Sequence, residues 1–87
     1  MKQAVAGTVE SNDILIAISE NATGTVIILE SIVKKQFGAA IEAAIAEMLR
    51  IHNLRDVLVQ ATDKGALDCT IRARMETAIS RYKEQAA

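Results

Sequence analysis

The chain has 87 residues, a formal net charge of −1, one cysteine, one phenylalanine and one tyrosine. This length predicts a single domain over residues 1–87. One cysteine excludes an internal disulfide framework and a multi-cysteine zinc site. The interspersed charges lack the basic stripe of a nucleic-acid module, so no nucleic-acid partner is predicted. No apolar run reaches the length of a membrane span and the first residues lack a secretory signal, so we expect a soluble, cytoplasmic protein without a membrane partner.

The first third of the chain has the pattern of β-strands. Residues 4–10 alternate loosely, as in an edge strand, and the turn formers at 11–13 follow them. The next segment has isoleucine at every second position, which predicts a strand with one apolar face. This strand covers Ile14, Ile16 and Ile18.

A second strand is predicted over residues 25–30, a continuous stretch rich in β-branched residues. Residues 21–24 before it have the composition of a hairpin turn, so we expect the two strands to pair antiparallel. Ser31 then has the side chain of a helix N-cap.

A helix follows, because apolar residues recur at helical spacing. Its predicted apolar stripe consists of Ile32, Val33, Phe37, Ala40, Ile41, Ala44, Ile45, Met48 and Leu49. Asn53 suits a left-handed residue at the end of this helix, with Leu54 as the apolar residue that closes it.

A third main strand over 55–62 and a second helix complete the pattern. The helix has its apolar stripe at Leu67, Ile71, Met75, Ala78, Ile79 and Tyr82. Because a helix joins the strands 25–30 and 55–62, these strands should be parallel with a right-handed crossover. The predicted fold class is α+β: a two-layer sandwich of a small mixed three- to four-stranded sheet with two helices on one face. Residues 1–4 and 83–87 should fray.

Histidine and cysteine, the usual catalytic side chains, occur once each. His52 at the end of the first helix is interpreted as a helix-end residue, because nothing in the spacing supports a dyad with Ser11. Cys69 on the second helix is interpreted as a small half-buried residue, and an exposed thiolate near Arg72 is the alternative.

The charged residues give no convincing catalytic group. Arg72 and Arg74 point about 200° apart on a helix, so they cannot form one clamp and are interpreted as solvated charges. Asp63-Lys64-Gly65 resembles a phosphate-binding loop only weakly, and a strand-to-helix turn is the favoured interpretation. Glu10 and Asp13 could be paired carboxylates, but a solvated turn is favoured.

Three segments carry a resemblance to a known family. They are "AGTVESND" (6–13), "SIVKKQFGAAIEAAI" (31–45) and "DKGALDCTIRARMETA" (63–78). In this order they resemble the acyl carrier protein, or gamma subunit, of citrate lyase, and the resemblance extends from about Ala4 to Tyr82.

This resemblance implies a non-catalytic carrier subunit of a multi-subunit lyase. The serine after Thr-x-Glu, here Ser11, would bear 2′-(5″-triphosphoribosyl)-3′-dephospho-coenzyme A through a phosphodiester. Many relatives have a second serine next to it, but this chain has Asn12, so the assignment falls on Ser11 alone. The group's thiol would hold acetyl and citryl thioesters between the alpha and beta subunits, while citrate is cleaved to acetate and oxaloacetate. A holo-protein synthase would attach the group.

Three alternatives remain open at the level of the sequence. The chain could be the related carrier of malonate decarboxylase, which bears the same kind of cofactor. It could instead be an unmodified structural or regulatory subunit. A small hydrolase that uses Ser11 or Cys69 is the third alternative.

Overall fold

Four strands and two helices follow one another in the computed structural model, which describes residues 2–85. In chain order they are β1 (Gln3–Gly7), β2 (Ile14–Glu20), β3 (Val26–Ser31), α1 (Lys34–Ile51), β4 (Val57–Asp63) and α2 (Asp68–Glu84). The predicted α+β class with two helices on one face of a small mixed sheet is confirmed.

The strand order in the sheet is β1-β2-β4-β3. β2 pairs antiparallel with β1 and with β4, and β3 pairs parallel with β4. The predicted hairpin pairing of β2 with β3 is therefore wrong, although the two strands do run in opposite directions. The backbone of Asp56, just before β4, accepts a hydrogen bond from Asn21 N–H and donates one to Thr25 Oγ1, both at 3.0 Å. The β2–β3 connection thus passes over the start of β4.

The strands flanking α1 pair in parallel, as predicted from the helix between them. Ile27 is opposite Val59 and Leu29 is opposite Ala61. This βαβ unit places β4 in the interior of the sheet, where alternate residues are buried from Val57 to Asp63. The right-handed sense of the crossover stays a prediction.

The core lies between the sheet and the two helices, and its composition follows the predicted periods. Alternate strand residues meet the buried stripes of α1 and α2, as expected for a two-layer domain. The largest fully buried apolar side chains are Ile14, Ile16, Ile18, Ile45, Met75, Ile79, Val57 and Val59.

Five members of the predicted helix stripes are not buried: Val33 is half-buried, Ala40 is exposed, and three large side chains are more than half exposed. Ile32, Phe37 and Leu67 are 67%, 58% and 69% exposed. All three lie near the helix N-termini, where α1 and α2 diverge enough to leave a groove between them. Helical spacing predicts which side of a helix carries the apolar side chains. It does not show where along that side the neighbouring helix stops covering them.

The ends of α1 differ in how well the sequence predicted them. α1 begins at Lys34 after Val33, without a side-chain cap; Ser31 Oγ instead accepts the Val33 N–H at 3.1 Å and donates to Asp63 at 2.7 Å. At the other end Asn53 is left-handed, with φ of 52°. Its N–H donates to Arg50 and that of Leu54 to Leu49, which is the predicted Schellman-type closure.

Regular secondary structure includes residues near both ends of the chain. β1 includes Gln3 and Ala4, and α2 continues through Lys83 to Glu84. The Gln3 N–H donates to Gln85 Oε1 at 2.9 Å, and the Gln85 amide donates back to the Gln3 carbonyl. Residues for which fraying was predicted therefore take part in strand pairing and in this contact, and their fraying stays a prediction; residues 1, 86 and 87 lie outside the described residues. No helix within residues 2–85 is long and apolar enough to cross a membrane.

Gly7 is required by the way β1 turns toward β2. Its φ is +90°, and a Cβ atom there would lie 1.8 Å from the carbonyl oxygen of Ile14. Gly24 has a φ of +119°, but a Cβ atom there would meet no atom within 4 Å. The two glycines therefore separate the effect of backbone conformation from that of steric overlap.

We predict that Gly7→Ala lowers the free energy of unfolding by more than about 2 kcal/mol, because overlap adds to the cost of a left-handed alanine. Gly24→Ala, which has only the conformational cost, should lower it by about 1–2 kcal/mol. Urea unfolding followed by circular dichroism measures both values. Equal losses in the two variants would contradict the close approach of Gly7 to Ile14.

Candidate functional site

Ser11 lies in the six-residue loop between β1 and β2. The N–H of Asp13 donates to the Glu10 carbonyl at 3.2 Å and closes a turn, in which Asn12 is left-handed with φ of 65°. Asparagine tolerates this conformation better than most residues. Ser11 is exposed, and within residues 2–85 its hydroxyl has no hydrogen-bond partner. The turn therefore presents the hydroxyl to solvent.

The turn is fixed to the connection between β4 and α2. Asn12 N–H donates to the Lys64 carbonyl at 2.8 Å, and Lys64 N–H donates to the Asp13 carbonyl at 2.9 Å. These bonds continue the β2–β4 ladder beyond the Ile14–Asp63 pair. Two backbone hydrogen bonds on a rigid sheet give the turn a defined position although its side chains are exposed.

Asp13 holds the turn in place through the hydrogen bonds that its carboxylate accepts. Its carboxylate accepts Arg74 Nε at 2.9 Å and Nη2 at 3.0 Å, Thr8 Oγ1 at 2.7 Å and the Ile14 N–H at 2.7 Å. These hydrogen bonds lower the pKa of Asp13 from 3.8 to about 2, with the largest contribution from Arg74 and the next from Thr8. The bidentate geometry fixes the loop against α2.

Two interpretations of charged residues are corrected by this contact. Asp13 is buried and does not belong to a solvated turn, whereas Glu10 is exposed as expected. Arg74 is not a solvated helix charge, because it binds Asp13 across 61 residues of sequence. Nothing in the local pattern distinguishes Arg74 from Arg72, which pairs on the exposed helix surface with Asp68 at 2.8 Å and Glu47 at 2.6 Å.

Asp63-Lys64-Gly65 forms the strand-to-helix turn that was favoured. The buried Asp63 carboxylate accepts the N–H groups of Gly65 at 3.2 Å and Ala66 at 3.0 Å, besides the Ser31 hydroxyl. A phosphate-binding loop needs such N–H groups free. Here an internal carboxylate uses them, so the turn is structural and supports the neighbouring Ser11 loop.

No catalytic dyad forms with Ser11. Ser11 precedes Ile14, which is opposite Asp63, whereas His52 lies near Val57 at the other end of β4. Seven strand residues separate these ends by roughly 20 Å. His52 is half-buried, and its carbonyl accepts a hydrogen bond from Lys83 Nζ. Within residues 2–85, no three His, Cys, Asp or Glu side chains could hold a metal ion.

Cys69 is exposed, which corrects the expectation of a half-buried residue. It is the second residue of α2, on the outer side of the first turn. Cys69 lies two residues before the buried Ile71, about 200° around the helix, so helical geometry places it on the face away from the apolar stripe. Its thiol therefore faces solvent.

An apolar groove of about 350 Å³ opens beside the Ser11 turn, between the N-terminal parts of α1 and α2. Its lining residues are Val33, Phe37, Ala40, Ile41, Gly65, Ala66, Leu67, Asp68 and Ile71. A Cβ atom on Gly65 would lie 3.6 Å from Asn12 Oδ1, so the groove begins next to the turn. The groove was not predicted from the sequence, in which the apolar residues at the helix starts are its only signal.

The described residues thus form a small α+β domain that presents an exposed serine on a turn held by backbone hydrogen bonds. Comparisons with known proteins show the family to which this domain belongs. The family model described as "ACP: Malonate decarboxylase delta subunit (MdcD)" matches residues 1–82. A solved structure, a Pseudomonas malonate decarboxylase hetero-tetramer in complex with malonate, contains a chain with a TM-score of 0.73 at 20% identity, covering 93% of this chain and 84% of that one.

Curated relatives are more similar in sequence. The citrate lyase acyl carrier protein of Streptococcus uberis is 52% identical over 81 residues, which cover 93% of this chain and 80% of the relative. Citrate lyase acyl carrier protein 2 of Salmonella typhimurium is 46% identical over 86 residues, which cover 98% and 89%. The class is thus that of an acyl carrier protein. The chain belongs to the citrate lyase acyl carrier protein family, within the group that the malonate decarboxylase delta subunit model describes.

We predict that Asp13→Asn lowers the free energy of unfolding by about 1–3 kcal/mol at neutral pH, because charge-assisted hydrogen bonds to Arg74 are lost. Because folding lowers the pKa of Asp13 from 3.8 to about 2, the ionised carboxylate stabilises the native protein fully above pH about 4. This stabilisation is lost as the pH falls toward 2. The variant should show a smaller loss of stability over this range. Urea unfolding between pH about 2 and about 7 measures it.

Asp68→Asn is the control, since Asp68 pairs on the exposed surface of α2 and should contribute little. The same pH profile in wild type and Asp13→Asn would contradict the assigned role of the Asp13–Arg74 pair.

Proposed function

We propose that this chain is the acyl carrier subunit of citrate lyase, and that the Ser11 hydroxyl reacts with 2′-(5″-triphosphoribosyl)-3′-dephospho-coenzyme A, which leaves its phosphoribosyl-dephospho-coenzyme A portion attached through a phosphodiester. The observation that supports this site is the exposed, unpartnered hydroxyl of Ser11 on a turn fixed by two backbone hydrogen bonds. The identity with citrate lyase carriers supports the assignment to that complex.

The residues around Ser11 suit a covalently attached group. Two side-chain hydroxyls lie in the loop, and that of Thr8 is engaged with Asp13 at 2.7 Å. Ser11 remains available, and Asn12 replaces the second serine that would blur the assignment. The backbone, rather than the Ser11 side chain, holds the turn, so modification of the hydroxyl breaks no contact.

In the proposed attachment, Ser11 Oγ forms a bond to the innermost phosphorus of the activated triphosphate. The bond from that phosphorus to the leaving pyrophosphate breaks, and the hydroxyl proton passes to a base of the synthase. Among residues 2–85, no side chain is hydrogen-bonded to the Ser11 hydroxyl as a base for this step. His52 is at the other end of β4, and all contacts of the Asp13 carboxylate support the loop.

When bound, the group supplies a terminal thiol for acetyl and citryl groups during cleavage of citrate to acetate and oxaloacetate. The contribution of the chain is to tether that thiol near the alpha and beta subunits, which raises its effective concentration at both sites. We expect the alpha and beta subunits and the synthase as partners, with a cytoplasmic location.

The carrier of malonate decarboxylase is the second candidate, and the fold similarity and the family model favour it. Affinity purification from the native host decides between the two, because either citrate lyase or decarboxylase subunits should copurify. An unmodified structural subunit would copurify with partners but carry no added mass. A hydrolase using Ser11 or Cys69 would be active as the isolated chain. We expect no such activity, since no described side chain is hydrogen-bonded to the Ser11 hydroxyl and His52 is at the other end of β4.

We predict that coexpression with the holo-protein synthase and its cofactor precursor increases the intact mass by one prosthetic group in wild type. Ser11→Ala should abolish the increase, since the turn offers no second free hydroxyl. Thr8→Ser is the matched control that keeps a hydroxyl bound to Asp13, and it should still be modified. Increased mass in Ser11→Ala would contradict the assignment.

We predict that Glu10→Lys slows this modification about tenfold at low salt, if the exposed Glu10 guides the synthase to the turn by its charge. Asp13 is omitted from this test because it is bound to Arg74. Glu42→Lys, an exposed change on α1, is the control with the same change in net charge. Mass spectrometry of timed samples measures the rate, and equal rates in both variants would exclude the role of Glu10.

A further inference from the structure

Lys64 is a basic residue whose backbone is hydrogen-bonded to the Ser11 turn. Its carbonyl accepts the Asn12 N–H at 2.8 Å, and its own N–H donates to the Asp13 carbonyl at 2.9 Å. Because Asn12 is left-handed with φ of 65°, these two bonds form a G1-type β-bulge, in which Asn12 and Asp13 lie opposite Lys64. The bulge therefore fixes the backbone of Lys64 next to Ser11.

The bulge also limits the distance between Lys64 and Ser11. The Lys64 carbonyl oxygen is 2.8 Å from the Asn12 nitrogen, and that nitrogen is bonded to the carbonyl carbon of Ser11. Standard bond lengths then place the Cα atoms of Ser11 and Lys64 within about 8 Å of each other. A lysine side chain has a flexible four-carbon stem about 6 Å long, so the Lys64 ammonium can reach a group attached to the Ser11 hydroxyl.

The positive charge of Lys64 is not used within the described part of the chain. Salt bridges among residues 2–85 involve Arg72 and Arg74, and none of them includes Lys64. Arg74 also lies at the turn, but the Asp13 carboxylate accepts two of its hydrogen bonds and neutralises its charge. Lys64 therefore keeps an ammonium group available for an anion beside Ser11.

The 63–65 turn lacks the free N–H groups of a phosphate-binding loop, but it retains the lysine. The Asp63 carboxylate accepts the N–H groups of Gly65 and Ala66. Lysine binds phosphate as a point charge and does not depend on those N–H groups. A phosphate on Ser11 would also lie next to the exposed carboxylate of Glu10, and the two negative charges would repel each other. A cation at this turn offsets that repulsion.

We propose that Lys64 is a positioning residue for the group attached to Ser11, and that its ammonium pairs with the phosphate esterified to the Ser11 hydroxyl. This inference rests on the proposed modification of Ser11. The phosphodiester is the first part of the group after Ser11 Oγ and carries one negative charge. The ion pair orients the start of the group relative to the sheet, which the rotatable bonds of the serine side chain alone would not do.

Acetylation of the lysine amines tests this ion pair in wild type, without a substitution. Apo and loaded protein are treated with the same acetylating reagent at low salt, and peptide mass spectrometry follows each lysine. We expect Lys64 to react at least about threefold more slowly in the loaded protein, because only the uncharged amine reacts and the phosphate favours the charged form. Lys83, beside His52 at the opposite end of β4, is the internal reference and should react equally in both forms.

Salt distinguishes ion pairing from simple coverage of Lys64 by the attached group. At about 1 M salt the Debye length falls to about 3 Å, so the ion pair weakens and Lys64 should react as fast as in the apo protein. Protection that persists at this salt concentration would contradict ion pairing. Ser11→Ala, taken through the same loading reaction, is the control without an attached group and should show no protection of Lys64.

Lys64→Gln tests the pair through the effect of loading on stability. Loading should lower the melting temperature about 1–4 °C more in Lys64→Gln than in wild type, because the phosphodiester then lies beside Glu10 without a cation. Lys64→Arg keeps the charge and should behave like wild type. Arg55→Gln, an exposed change before β4 with the same change in net charge, is the matched control. Each comparison is between the loaded and apo forms of one variant, so a purely structural effect of the substitution cancels.

Intact mass precedes every comparison, because it separates this inference from the proposed function. If wild type gains no mass, the modification of Ser11 itself is wrong. Full loading with equal Lys64 reactivity in apo and loaded wild type leaves that modification intact and refutes the ion pair alone. Equal effects of loading in Lys64→Gln and Arg55→Gln would also overturn the ion pair. If Lys64→Gln does not accept the group, the acetylation of wild type decides.

Discussion

The Asp13–Arg74 pair is the contact on which the candidate site depends. It joins the end of the β1–β2 loop to α2, and it is bidentate with distances of 2.9 and 3.0 Å. Without it, the loop would be held at its far side only by the backbone bonds to Lys64. Because Asp13 also accepts Thr8 and the Ile14 N–H, one carboxylate organises both flanks of Ser11. An exposed serine can then occupy a constant position although its own side chain contacts nothing.

The position of β4 in the sheet brings the parts of this site together. Because β4 lies between β2 and β3, its C-terminal end meets the start of β2 and the 63–65 turn meets the 10–13 turn. The same turn begins α2, whose first residues form one wall of the apolar groove. If β2 and β3 had paired as a hairpin, Ser11 would have neither the Lys64 contacts nor this groove beside it.

Local patterns predicted the elements well because each depends on nearby residues. The alternating isoleucines of β2 and the part of the helical stripe from Ile41 to Leu49 are buried as expected, and Asn53 closes α1 in a left-handed conformation. The strand pairing and the partly buried Asp13–Arg74 ion pair could not be predicted in this way. Both depend on residues far apart in the chain, such as Asp13 and Arg74, and arginine has the same local pattern whether its carboxylate partner is near or distant.

By itself the sequence determined the α+β class, the family and the candidate Ser11, because apolar periods and three long matching segments are properties of the chain alone. Only the tertiary structure decided that Asp13 and Arg74 support the serine turn, that His52 is distant from it, and that an apolar groove opens beside it. The physical reason is that these relations arise from the order of strands in the sheet and from where two helices stop covering each other, and neither is encoded in any local segment.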